Sequence, residues 1–62
     1  MVGEIMLDYT VINDDVIVQG LVGGDQYDVL VFSAASHNWV IYNSFINKEA
    51  AIEWAKIEEN VK

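Results

Sequence analysis

The chain has 62 residues, ten Asp and Glu against three Lys and no Arg, a formal net charge of −7 and no cysteine. A single small core of this size rarely supplies more than about 3–5 kcal/mol, so small scaffolds are commonly completed by a disulfide, a metal or association. Missing cysteine excludes disulfides and thiolate metal sites, and the shortage of cations disfavours direct contact with nucleic acid or anionic membranes.

No run of 18 or more apolar residues is present, and "MVGEIMLDY" carries an acid where a secretory signal has a basic segment, so a cytoplasmic protein is expected. Alternation predicts a first strand over about 4–12, with Ile5, Leu7, Tyr9 and Val11 on one fully apolar face and Met6, Asp8, Thr10 and Ile12 on the other. Asn13-Asp14-Asp15 supplies turn residues whose side chains cap their own backbone. A second strand follows over about 16–22, where Gly20 marks a bulge or a close backbone approach. Gly23-Gly24-Asp25 suits a short hairpin connection, and a third strand runs over about 27–34. After the turn Ala35-Ser36-His37-Asn38 a fourth strand is expected over about 39–44.

At Phe45 the period changes. Asn47 is placed to cap a helix, Glu49 sits in its first turn, and a helix over about 48–60 is predicted. Ala50, Trp54, Ile57 and Val61 share one stripe at about 100° per residue, with Trp54 as the expected central anchor. The fold class is therefore α+β: one domain over 1–62, built as a four-stranded antiparallel β-meander followed by one C-terminal helix packed on the sheet.

One helix covers one face of such a sheet. Met6, Ile12, Ile17 and Leu21, with Leu30 and Phe32 of the third strand, are expected to need another cover, and a second copy of the chain is expected to supply it, by sheet-to-sheet packing or by strand pairing across an edge. The acids Asp14, Asp15, Asp25 and Asp28, with Tyr27 among them, are the expected partner-binding residues, since a negative surface favours a basic target.

Catalytic, metal and cofactor sites are not expected. Ser33, Ser36 and His37 lie near one another in sequence, with Asp28 upstream, but no nucleophile-elbow sequence accompanies them. Neither Asp14-Asp15 nor Asp25 with Asp28 has the ligand spacing of an EF-hand loop. "GLVGG" falls between two strands and so is not a phosphate-binding loop.

The segment "NWVIYNSFINKEAAIEWAKIEE" resembles the strand-then-helix close of many very small β-meander domains. In size, acidity and lack of a catalytic set the chain is similar to small phage-encoded inhibitors of host enzymes or antiviral defence systems. That resemblance implies a non-enzymatic, stoichiometric protein–protein inhibitor, in some cases one that occupies a basic nucleic-acid-binding site. A cellular accessory or regulatory subunit docking on a larger enzyme is the alternative.

Overall fold

A computed structural model describes residues 6–62. Four antiparallel strands, β1 (Leu7–Asn13), β2 (Val16–Leu21), β3 (Tyr27–Ser33) and β4 (Asn38–Phe45), form one sheet in the order β1-β2-β3-β4. The helix α1 (Lys48–Lys56) and a short 3-10 turn, Glu58–Val61, follow and pack on one side. The expected meander and C-terminal helix are both present. Glu4 and Ile5, expected at the start of the first strand, lie outside the described residues.

Local chemistry accounts for the connections. In the β1–β2 turn the Asn13 side-chain oxygen accepts from the Asp15 N–H at 2.8 Å, the self-capping expected of Asn. Between β2 and β3, Gly23 takes a φ of 77°, a left-handed conformation that costs glycine little, and the Gly24 N–H donates to the Leu21 carbonyl at 2.8 Å. Asn47 caps α1 by accepting from the Ala50 N–H at 3.1 Å.

The helix is shorter than its composition implies. Ile57 is extended, with φ −81° and ψ 111°, and the Trp54 carbonyl accepts both the Ile57 N–H and the Asn60 side-chain amide. That second acceptor role ends α1 at Lys56 and turns the chain into the 3-10 segment.

The core consists of Val16 and Val18 of β2, Tyr27, Val29 and Val31 of β3, and Ala51 and Ala55 of α1. Here the expected helix stripe is corrected by one position: Ala50 and Ile57 are exposed, and Trp54 is a half-buried flank. Two alanines a turn apart let the helix backbone approach the valines closely, while Ile52 and Trp54 pack at its sides. Trp54 meets Phe45 with ring centroids 5.8 Å apart, which fixes the helix over the end of β4.

β1 is also turned over relative to expectation. Its apolar set, Leu7, Tyr9 and Val11, is exposed, whereas Asp8, Thr10 and Ile12 face the helix and are partly buried. An ion pair accompanies this facing: Lys48 Nζ at the start of α1 lies 2.9 Å from Asp8 Oδ1. With Asp8 held toward the helix, the alternation of a strand sends Leu7, Tyr9 and Val11 to the other side.

Candidate functional site

The side of the sheet away from α1 forms the candidate site, and the register assembles it row by row. Val11, Ile17, Leu30 and Ile41 stand opposite one another across all four strands. Phe32 and Trp39 pair at one end in an edge-on contact at 5.5 Å, and Leu7 pairs with Leu21 at the other. Between the apolar rows runs a polar one, Tyr9, Gln19, Asp28 and Ser44. This outer face is apolar with one hydrogen-bonding stripe, and among the described residues no helix covers it.

Within the polar stripe Asp28 is organised by its neighbours. Its Oδ1 accepts from the Ser44 hydroxyl at 2.6 Å and from the Gln26 amide at 3.0 Å. An open groove of about 380 Å³ lies beside it against the β2–β3 turn, lined by Leu7, Gln19, Leu21, Asp25, Gln26 and Asp28. Leu7 and Leu21 in the same lining as the carboxylates of Asp25 and Asp28 suit a side chain that is apolar along its stem and cationic at its tip.

Of the residues expected under a second cover, Ile17, Leu21, Leu30 and Phe32 do lie on this face. Met6 and Ile12 do not belong to it. Ile12 has the parity of Asp8 and packs at the edge of the core, and Met6, exposed ahead of β1, shares that parity. Their places are taken by Leu7, Tyr9, Val11, Trp39 and Ile41, which sequence reasoning missed. Asp8 and Lys48 carried the signal, because an acid in an apolar strand and the first lysine of the chain, 40 residues later, meet in space.

The expected partner-binding acids divide between two ends of the sheet. Asp14 and Asp15 are exposed in the β1–β2 turn, beside Lys56 at the end of α1 and Glu58 of the 3-10 turn. Asp25 and Asp28 border the groove at the opposite end, with the six residues of β2 between them, a span of about 20 Å at roughly 3.4 Å per residue. Tyr27 is corrected outright: only 8% exposed, it is a core residue whose ring lies over Gly20 on β2.

The residues of the imagined triad are not brought together. His37 occupies the exposed β3–β4 turn with φ 56°, and Ser33 closes β3 beside it. Asp28 lies five residues back along β3, about 17 Å at roughly 3.4 Å per residue, and its carboxylate is engaged by Ser44. Among the described residues no three His, Asp or Glu side chains converge as metal ligands, and no helix is long and apolar enough to cross a membrane.

The chain matches no protein-family model, no curated protein and no solved structure.

Proposed function

We propose that the protein is a non-enzymatic, acidic protein-binding module that works as a homodimer and takes a basic protein surface on the outer face of its sheet. The observation that carries this reading is the one-sided cover: α1 packs on the helix side alone, while Leu7, Tyr9, Val11, Leu21, Trp39 and Ile41 stand exposed on the other. Exposed apolar rows with a hydrogen-bonding stripe between them give the mixed surface that protein contacts use. A net charge of −7 then selects among partners, because it steers the module toward cations and away from nucleic acid.

Applied to function, the resemblance to small phage-encoded inhibitors narrows the target to a bacterial host or antiviral defence protein, blocked at a basic nucleic-acid-binding site. A cellular accessory subunit would use the same exposed apolar face on a larger enzyme. Salt and DNA separate the two, since a site shared with nucleic acid depends on charge.

The test immobilises the wild-type protein and a Tyr9→Lys, Val11→Lys variant, exposes both to bacterial lysate, and measures each retained protein again in pure form. The expected result is a basic protein that binds the wild type only, weakens with rising salt and is competed by DNA. Retention of the same proteins by both forms contradicts use of the outer face. Binding that is indifferent to salt and DNA contradicts the nucleic-acid-site target and favours the accessory subunit.

A further inference from the structure

β4 is the strand the fold leaves open on both faces. Seven of its eight residues are exposed, Val40 and Tyr42 on the helix side as well as Trp39 and Ile41 on the outer side. As an edge strand it also presents unpaired backbone groups, and monomeric proteins guard such edges with charge, proline, bulges or a cover. The two edges of this sheet differ in that respect. Each carries one bulge, at Ile12 in β1 and at Tyr42 in β4, so charge decides between them. β1 holds Asp8, whose charge Lys48 offsets, and runs into the exposed Asp14 and Asp15, whereas residues 29–47 contain no Asp, Glu, Lys or Arg. Of the two edge strands β4 is the one without a charged residue, so the repulsion between copies of an acidic chain is least there.

We infer that the occupant of the β4 edge is a second copy of the chain. Two β4 strands pair antiparallel about a two-fold axis normal to the sheet, giving one eight-stranded sheet with both helices on the same side. This rests on the homodimer reading above and deepens it by naming the edge. Residues directly opposite in an antiparallel pair share a face, so the axis passes through a residue. Placed at Val40, it sets Trp39 opposite Ile41 of the second copy twice on the outer side and Val40 opposite itself on the helix side, each pair contributing to the join.

Packing of two outer faces against each other is the competing arrangement, and the polar stripe opposes it. Asp28 would be sealed under a second sheet with only the Ser44 and Gln26 donors, and all three lysines lie at position 48 or beyond, in or after α1. A buried carboxylate without a cation is costly. Edge pairing leaves Asp28 hydrated and joins the two outer faces into a single surface for the partner.

The test is solution mass by light scattering over a hundredfold concentration range. Twice 7.0 kDa is expected for the wild type. Val40→Lys sets two cations opposite one another at the axis and is expected to give 7.0 kDa, while Val11→Lys, on the outer face of the far edge, keeps the doubled mass. Should Val40→Lys lose its circular dichroism, Ile41→Lys, at a side chain already 58% exposed, takes its place with the same expectation. A dimer that survives the β4 change and splits with Val11→Lys overturns the edge assignment and leaves the homodimer standing. Wild-type mass of 7.0 kDa throughout overturns both.

Discussion

Lys48 Nζ and Asp8 Oδ1, 2.9 Å apart, tie the first turn of α1 to the helix-facing side of the first described strand. The hydrogen bond to Asp8 also holds the Lys48 ammonium above the usual 10.5 of a lysine, with the charge of Asp8 adding to it against desolvation. A cation whose pKa is higher folded than unfolded stabilises the fold below the unfolded value and loses that contribution as pH rises through the folded one. Thermal melts of the wild type and Lys48→Met should therefore diverge in neutral solution and converge above pH 10.5. The difference should be small, since both side chains are partly exposed. Curves separated equally at pH 7 and at high pH would contradict the pair.

Val11 and Val18 test the orientation of β1 directly. Val18 is fully buried and Val11 is 62% exposed. Val18→Thr buries an unpartnered hydroxyl and is expected to cost about 1–3 kcal/mol in urea unfolding. Val11→Thr keeps the β-branch in water and should change stability by less than about 0.5 kcal/mol. Equal losses would mean that Val11 is in the core after all.

Gly20 lies under the ring of its cross-strand partner Tyr27. A Cβ at position 20 would come within 2.6 Å of the ring and 2.7 Å of the Gln26 carbonyl oxygen. Neither can move freely, because the ring is a core residue and the oxygen is backbone. Gly20→Ala is expected to cost about 1–3 kcal/mol as overpacking, and less when made on top of Tyr27→Leu. Purely additive effects would show that the ring and the glycine are not in contact.

His37 occupies the β3–β4 turn with φ 56°, a left-handed conformation that costs a residue with a Cβ about 1 kcal/mol or more relative to glycine. His37→Gly removes that strain, against which glycine's freer unfolded chain must be set. The expected net result is a gain of about 0.5 kcal/mol, visible as a higher urea midpoint. A loss of stability would give the imidazole a role beyond the turn.

Strand number, antiparallel order and the C-terminal helix were legible because each rests on local chemistry: alternation, the Asn13 and Asn47 caps, and the glycines between β2 and β3. Gly20 was legible as a place of close approach, although its partner Tyr27 was read as a surface residue because it stands between Asp25 and Asp28. Facing was harder. Leu7, Tyr9 and Val11 form the more apolar set of β1 and periodicity alone assigns them inward, whereas the contact that marks the other set as helix-facing, Asp8 with Lys48, spans 40 residues. The helix shifted by one position for a related reason, since alanine's value at Ala51 and Ala55 lies in the close approach it permits and not in its own hydrophobicity.

Hydroxyl-radical footprinting of the isolated protein in solution tests most directly the claim that the outer face is uncovered and built as described. Tyr9, exposed on that face and on the strand farthest from the β4 edge, is expected to be modified rapidly while Tyr27 is spared, at low and high protein concentration alike. Protection of Tyr9 to the level of Tyr27 would show the outer face to be covered and would contradict the account.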